Sequence, residues 1–361
     1  MTVIDLLNLS KSFGPTPALA PTTLSVAAGE IFVLLGPSGS GKSTLLRLIA
    51  GLESPSGGRI RINNQDVTDW PPHQRNVALV AQRPALAPTL TVEENLSQGL
   101  RFSQSRLTRR ERLSEAEIAG RVREAAEFLE LTPLLKRPAG DLSGGEQQRA
   151  ALGRAAVRRA PIWLLDEPFG SLDTALAEKL SRGLLLLRRR FGLTMIFVTH
   201  NPNEAMSLAD RVGVLGGGHL LQAETPAEVH DRPGHRAVAF HFGRPTINLI
   251  DGSADSGIFS TVSGGVRLPT PLPAGNLSLG LRPEDLFLGP GAGRLSLGAF
   301  TLQEKRRWGA GWLATVTHGD DSLRVLTANE PPAVGDAVTV WTAPDKAHWF
   351  AADTGRRLDL P

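Results

Sequence analysis

The chain contains no cysteine among its 361 residues. Disulfide bonds, thiolate metal sites and a cysteine nucleophile are therefore excluded, because each of them needs a cysteine sulfur. The absence is consistent with a reducing compartment, and we expect a cytoplasmic protein.

Long hydrophobic runs are also missing. No stretch approaches the roughly 18 uninterrupted apolar residues that a membrane-spanning helix needs. Residues 1–14 lack the basic segment followed by an apolar run that a secretory signal would show. We therefore expect a chain that is neither exported nor inserted into a membrane.

The composition is that of a folded protein. Hydrophobic residues make up 41% of the chain and charged residues 21%, and the length of 361 residues predicts two domains. The formal charge is +3, with arginine-rich clusters at Arg106–Arg112, Arg158–Arg159 and Arg188–Arg190. Such clusters can bind nucleic acid, but solvated helix faces with a mild attraction to anionic lipid explain them more simply. We expect no nucleic-acid partner.

The first part of the chain alternates predicted strands and helices. Glu30–Leu35 predicts a buried strand, and Lys42–Ala50 has helical spacing after a glycine-rich turn. Ile162–Leu165 and Thr194–Val198 predict two more strands with a helix between them. This alternation is typical of an α/β fold with a mainly parallel sheet. Residues 88–160 are predicted to be a helical insertion.

The sequence changes character after about residue 238. Helical periodicity fades, glycine and proline become frequent, and short strand-like runs occur at Leu277–Leu281, Trp312–Thr317 and Ala337–Trp341. We predict a first domain over residues 1–238, with its helical subdomain at about 88–160, and a smaller all-β domain over residues 239–361.

A phosphate-binding loop is the strongest motif. It fits the pattern G-x-x-x-x-G-K-[ST] between a strand and a helix, and consists of Gly36, Pro37, Ser38, Gly39, Ser40, Gly41, Lys42, Ser43 and Thr44. Glycines let backbone N–H groups face the phosphates, and the helix adds the positive end of its dipole. Lys42 is predicted to neutralise the β- and γ-phosphates of ATP, and Ser43 to bind Mg²⁺.

Two carboxylates close a later apolar strand, and a histidine follows the next one. Asp166 is predicted to hold Mg²⁺, and Glu167 to orient or deprotonate the attacking water. An acidic pair alone would more often be a helix cap or turn, but the phosphate loop favours the catalytic interpretation. His200 should lie at the carboxyl edge of the sheet, where ligands bind, and we predict that it contacts the γ-phosphate.

A second glycine-rich helix start occurs at Ser143, Gly144, Gly145 and Glu146. It offers N–H groups and a hydroxyl to an anion. A plain helix cap explains Ser143, but not two successive glycines, each of which costs about 1 kcal/mol in a helical position.

These motifs, in this order and spacing, resemble the ATPase subunits of ABC transporters over residues 1 to about 238. The resemblance rests on the phosphate loop, Gln82, LSGGE, LLDEP, Ser171–Asp173 and His200. It implies a phosphate-loop ATPase fold that uses MgATP. It also implies a head-to-tail homodimer in which Ser143–Glu146 of one copy meet the ATP on the loop of the other.

The same resemblance implies roles for three further residues. Gln82 would sense the γ-phosphate and Mg²⁺ and take part in catalysis, while Asp173 would cross the dimer interface. Phe13 would stack on adenine, and its alternative is an ordinary core phenylalanine.

The C-terminal part resembles the OB-like, TOBE-type regulatory domain of sugar-uptake importer cassettes of the maltose and glycerol-phosphate kind, through Leu279–Asp285 and Thr354–Arg357. This implies two transmembrane permease subunits, an extracytoplasmic solute-binding protein, and a peripheral position on the cytoplasmic face of the inner membrane. Ala85 and Ala87 replace tyrosines of many relatives, and Asn201-Pro202 replaces Asp-Gln. A sugar or sugar-derived solute is expected. Polyamine, iron, sulfate or another small solute stays open, as does, more remotely, a non-transport cassette ATPase.

Overall fold

The computed structural model describes residues 2–104, 113–270, 272 and 274–359. The basic run Arg106–Arg112 lies outside the described residues. The chain divides into two compact units, Met1–Leu220 and Leu221–Pro361. The domain boundary between residues 238 and 239 stays a prediction.

Two sheets are built mainly from the first unit, and the last strand of the larger one continues past Leu220. A four-stranded antiparallel sheet has the order β2-β1-β4-β5, and a six-stranded sheet has the order β10-β9-β3-β8-β7-β6. Their strands are β1 Thr2–Phe13, β2 Thr16–Ala27, β3 Ile31–Leu35, β4 Gly57–Ile62, β5 Gln65–Asp66, β6 Val77–Val80, β7 Ile162–Asp166, β8 Thr194–Thr199, β9 Arg211–Gly216 and β10 His219–Glu224.

The six-stranded sheet is mainly parallel, as expected. Strand β3 pairs in parallel with β8 and β9, and β7 pairs in parallel with β6 and β8. Every residue of β3, β7 and β8 is buried, because both faces of the sheet are covered. The carboxyl ends of these strands therefore meet along one edge, where the candidate site forms.

Helices surround this sheet and fill the segment between β6 and β7. The helices of the first unit are α1 Lys42–Ala50, α2 Val92–Gln104, α3 Glu115–Phe128, α4 Gly144–Arg158, α5 Thr174–Phe191 and α6 Pro202–Leu208. An apolar stripe along α3 and its C-terminal end, Ile118, Val122, Ala125 and Leu129, is buried. Gly153 of α4 lets α2 approach closely, since a Cβ there would lie 3.3 Å from atoms of Leu96.

The second unit has two short helices and two antiparallel sheets. The helices are α7 Pro226–Asp231 and α8 Arg236–His241. The sheets have the orders β13-β12-β11-β14-β20 and β15-β19-β16-β17-β18. Their strands are β11 Asn248–Asp255, β12 Ile258–Ser260, β13 Arg267–Pro269, β14 Gly275–Leu281, β15 Leu286–Phe287, β16 Leu295–Trp308, β17 Gly311–His318, β18 Asp321–Thr327, β19 Ala337–Thr342 and β20 His348–Ala351.

The three strand-like runs predicted in this unit lie in β14, β17 and β19. Their inward-facing side chains share one core with residues such as Phe259, Leu279, Val316 and Trp349. Within the described parts of both units, no helix is long and apolar enough to cross a membrane.

Candidate nucleotide-binding site

The phosphate loop connects β3 to α1 and depends on its glycines. A Cβ at Gly36 would lie 2.2 Å from the carbonyl oxygen of Leu215, and one at Gly41 would lie 2.6 Å from that of Ala18. Gly41 also has φ 100°, a left-handed conformation that L side chains rarely adopt. Glycine is therefore required at both positions, where the loop passes close to the backbone of neighbouring segments.

Lys42 is buried at the start of α1, with 6% of its surface exposed. Its Nζ donates hydrogen bonds to the carbonyl oxygens of Gly36, at 2.9 Å, and Pro37, at 2.8 Å. Burial lowers the pKa of Lys42, while the nearby carboxylates of Glu167 and Asp166 oppose that shift. The ammonium thus lies inside the loop, on the path that a phosphate would take.

The rest of the loop supplies polar groups around this ammonium. Pro37, Ser38 and Gly39 are exposed, and Thr44 is half-buried in the first turn of α1. The Ser40 hydroxyl is buried and has no hydrogen-bond partner among the described residues. Helix α1 begins without a side-chain cap. An anion bound here would satisfy groups that the protein itself leaves unpaired.

Ser43 and Asp166 are brought together from α1 and the end of β7. The Ser43 hydroxyl donates to Asp166 Oδ1 at 3.0 Å. Burial raises the pKa of Asp166, and the Ser43 hydrogen bond acts in the opposite direction. Within the described ranges no cluster of three or more His, Asp or Glu side chains would enclose a metal ion. The pair suits Mg²⁺, which prefers oxygen ligands and takes the remainder from water and substrate phosphates.

Gln82, Glu167 and His200 meet at the same edge. Gln82 Nε2 donates to Glu167 Oε2 at 3.0 Å, and His200 Nδ1 lies 3.3 Å from Glu167 Oε1. The backbone of Glu167 has φ 46° and its N–H donates to Val198 O at 3.0 Å, which ties it to β8. The Glu167 carboxylate, which follows β7, is thus held by Gln82, which follows β6, and by His200, which follows β8.

The Ser143 segment forms a reciprocal helix cap. Glu146 N–H donates to Ser143 Oγ at 3.4 Å, and Ser143 N–H donates to the Glu146 carboxylate at 2.7 Å. The backbone hydrogen bond from Ser143 lowers the pKa of Glu146. A Cβ at Gly145 would lie 3.1 Å from Leu172 Cδ2, a tight contact, whereas a Cβ at Gly144 would meet open space. Ser143 and Gly144 are exposed.

Asp173 and Phe13 also lie at the surface. Asp173 caps α5, accepting a hydrogen bond from Leu176 N–H at 2.9 Å. Phe13 is 48% exposed at the end of β1, with Lys11 Nζ 4.7 Å from its ring centroid. Phe13 is therefore not a core residue, and about half of its surface is open to solvent.

Arg75 supports the C-terminal end of α1. It is 3% exposed, and its guanidinium donates to the carbonyl oxygens of Leu48 and Ile49 at the end of α1, at 2.7 and 3.1 Å. It also donates to those of Thr68 and Trp70. A cation at a helix C-terminus stabilises the helix that carries Lys42. No local pattern around Arg75 indicates Leu48 and Ile49 as partners, because they lie 27 and 26 residues away in the chain.

Comparisons with known proteins agree with this geometry. The family described as ABC transporter matches residues 19–170, and the TOBE domain family matches residues 279–350. The sn-glycerol-3-phosphate import ATP-binding proteins UgpC of Salmonella typhimurium and UgpC 3 of Rhizobium etli are each 41% identical to the chain, over 99% of it and 100% of their own length. The UgpC protein of Escherichia coli is 40% identical over the same shares.

Solved structures support the first unit. A dimeric ATP-binding cassette in a post-hydrolysis state, bound to ADP and Pi, is 33% identical, with a TM-score of 0.56 over 62% of this chain and 98% of that chain. A nucleotide-free cassette of an ABC transporter is 28% identical, with a TM-score of 0.56 over 63% of this chain and 94% of that chain. The predicted fold, a phosphate-loop ATPase cassette followed by an all-β domain, is confirmed. Identity of 41% along nearly the whole length shows that the chain belongs to the ATP-binding subunits of ABC transporters.

Proposed function

We propose that this ATPase energises an importer for a sugar-derived solute and that glycerol 3-phosphate is the first solute to test. The curated relatives with 40–41% identity are named for sn-glycerol-3-phosphate import. Relatives of this kind favour a transport ATPase over a cassette acting on ribosomes or DNA. Polyamine, iron and sulfate remain the alternatives for the solute.

The observation that carries the ATPase proposal is the meeting of Lys42, the Ser43–Asp166 pair and Glu167 at one sheet edge. Lys42 would exchange its two carbonyl partners for phosphate oxygens, because charge-assisted bonds to phosphate are the stronger ones. Ser43 and Asp166 would hold Mg²⁺, with Gln82 nearby, and the ion would neutralise phosphate charge when bound. Phe13 would stack on the adenine ring.

Glu167 would position the attacking water and accept its proton. Gln82 and His200 hold the two oxygens of this carboxylate, so each would orient it, and both could respond to a γ-phosphate bound beside it. Such positioning matters because general-base catalysis requires hydrogen-bond reach to the proton that is abstracted.

The second copy would complete the site. Ser143 and Gly144 are exposed at the start of α4, where backbone N–H groups and the helix dipole favour an anion held on another copy. We infer a head-to-tail homodimer in which Ser143–Glu146 of one copy face the loop of the other, with Asp173 at the interface. ATP bound between copies would then favour the closed pair by its differential affinity.

We propose that a groove of about 330 Å³ between β6, α2 and α4 is the permease contact. Leu79, Leu96 and Ala151 line it with Arg154, whose guanidinium donates to Ala85 O at 2.6 Å. The backbone at Ala85 is thereby held beside the groove. We propose that two permease subunits dock here, which places the protein peripherally on the cytoplasmic face of the membrane, with an extracytoplasmic binding protein delivering solute.

Reconstitution tests this proposal. Vesicles containing the chain and its co-purifying permease subunits should take up labelled glycerol 3-phosphate when ATP is supplied on the side of the ATPase. Parallel uptake of a polyamine, ferric iron and sulfate provides the comparison. Uptake of one of these solutes without glycerol 3-phosphate uptake would contradict the solute proposal, and ATP hydrolysis unaffected by the permease subunits would contradict the importer proposal.

A further inference from the structure

A cleft of about 840 Å³ opens within the second unit. Helix α8 and the start of β11 form one wall, and strands β17 and β18 form the other. The described residues that line it include Arg236, Arg324, His235 and His241, and no carboxylate is among them. The lining therefore carries positive charge, although the proposed function gives the cleft no role.

Strand register explains the polar floor of the cleft. Thr315 of β17 lies opposite Arg324 of β18. Because side chains alternate across a strand, the neighbouring residues Ala314, Val316, Leu323 and Val325 point to the other face, and all four are fully buried in the core. Thr315, Ser322 and Arg324 consequently lie together on the face that lines the cleft.

Asn248 holds Arg324 in place. The amide of this residue, 5% exposed, donates from Nδ2 to the carbonyl oxygens of Arg324, at 2.9 Å, and Leu281, at 3.0 Å. Its Oδ1 accepts a hydrogen bond from Arg324 N–H at 2.8 Å. The backbone from which the guanidinium projects is thus fixed on both sides by one buried side chain, which pre-organises the cation.

The two arginines differ in their partners. Arg236 forms an ion pair with Asp251 at 3.3 Å, and Asp251 does not line the cleft. For Arg324, the hydrogen bonds present among the described residues come from its backbone, so the donors of its guanidinium are unused. Phe240, 49% exposed, adds an apolar surface to the opposite wall.

We propose that this cleft binds a small phosphate monoester, with its phosphate on Arg324 and its organic part against Phe240. A guanidinium presents parallel donors that match phosphate oxygens. The hydroxyls of Thr315 and Ser322, together with Arg236, supply more donors than a single carboxylate accepts, which favours a tetrahedral oxyanion. Strands β17 and β18 lie within residues 279–350, which match the TOBE domain family, whereas α8 and β11 precede them. A bound ligand would therefore contact both segments.

Calorimetric titration of the full-length chain tests this inference. The chain carries Lys42→Ala throughout, so that the phosphate loop does not contribute. Glycerol 3-phosphate should bind saturably to one site, more tightly than inorganic phosphate or succinate. Adding Arg324→Ala should weaken binding at least about tenfold, since a charge-assisted contact is lost. Arg267→Ala, which removes an exposed arginine of the same unit outside the cleft, should leave binding unchanged.

Ser322→Ala provides a milder variant and should weaken binding severalfold, and thermal unfolding of each variant confirms that it folds. Absent saturable binding, or equal losses with the Arg267 and Arg324 variants, would overturn the proposed site. Equal affinity for succinate would overturn the phosphate class, and tighter binding of inorganic phosphate would overturn the monoester. These outcomes are independent of the transport assay, because they involve neither ATP nor a permease.

Discussion

Lys42 is buried in the phosphate loop with its charge turned inward onto two carbonyl oxygens. A buried ammonium that lacked such partners would be costly, so the loop stabilises the cation before any ligand contributes. Removal of the Lys42 ammonium should consequently affect nucleotide binding more than folding.

Lys42→Ala is expected to weaken ATP binding by roughly tenfold to hundredfold, because hydrogen bonds to charged groups contribute about 1.5–3 kcal/mol. Titration with a fluorescent ATP analogue measures this effect. Lys136→Ala is the control, since Lys136 is exposed and pairs with Glu93 at the surface, where ion pairs contribute little. Unchanged affinity in the Lys42 variant would contradict the role assigned to the loop.

Glu167→Gln should retain ATP binding while lowering turnover about 10²–10⁴-fold, the usual contribution of a general base. The amide keeps the size of the carboxylate but cannot accept the proton. Phosphate release at saturating ATP measures turnover, with Glu127→Gln on the exposed surface of α3 as the matched change. Rapid hydrolysis by the Glu167 variant would refute the assignment.

At the scale of elements, the order β8-β7-β6 unites Gln82, Glu167 and His200. Glu167 and His200 were predicted from their positions at strand ends and Gln82 from the family resemblance. The phosphate loop was predicted because its glycine spacing is a local signal. It did not predict that Gln82 and His200 would share Glu167, since that contact depends on which strands are neighbours. The cleft in the second unit was missed for the same reason. It depends on the β17–β18 register and on the hydrogen bonds between Asn248 and the backbone of Arg324.

His348 of β20 gives the second unit a pH-dependent stability. Burial lowers its pKa to about 3, and the positive charges of Arg282 and Arg357 act in the same direction. In the unfolded chain the group has its ordinary pKa near 6.5. The unfolded state therefore binds more protons between these values, so stability should be full above about pH 6.5 and should fall towards pH 3, by up to about 1.4 kcal/mol per pH unit.

His348→Gln should remove most of that pH dependence. Hydrogen exchange of the β14–β20 amides, measured between pH 4 and 7, reports the stability of the sheet that contains the residue. His318→Gln, an exposed histidine of the same unit, should keep the slope. An unchanged slope after replacement of His348 would show that the dependence arises elsewhere.

At the scale of the whole molecule, the lack of cysteine makes the proposed dimer directly testable. Helices α3 and α4 begin with the same cap, Ser114–Glu117 and Ser143–Glu146. A chain with Ser38→Cys, Ser143→Cys and Glu167→Gln should form an intermolecular disulfide when ATP is present, because the two segments would face each other across the interface.

Replacing Ser143→Cys by Ser114→Cys in that chain places a thiol at an equivalent cap outside the proposed interface. Non-reducing electrophoresis after mild oxidation should show the cross-linked pair with Cys at position 143 and little with Cys at position 114. Equal cross-linking of the two, or none at position 143 in any nucleotide condition, would rule out the head-to-tail arrangement.

The sequence predicted the class of solute and the presence of permease subunits, but not which solute or which permeases, because the residues that would select a solute do not lie in an ATPase cassette. The cassette itself was predictable, since its chemistry depends on short motifs at strand ends.

The carbonyl oxygens that hold Lys42 have one more consequence. They compete with a bound anion for the Lys42 ammonium. An anion is therefore retained only if its own contacts are stronger than the two hydrogen bonds that it replaces. Chloride and other singly charged ions form too few contacts to compensate for the two lost hydrogen bonds. A polyphosphate can replace both bonds and also accept hydrogen bonds from the backbone N–H groups of the loop. The loop therefore requires a minimum binding free energy, which favours triphosphates over small anions.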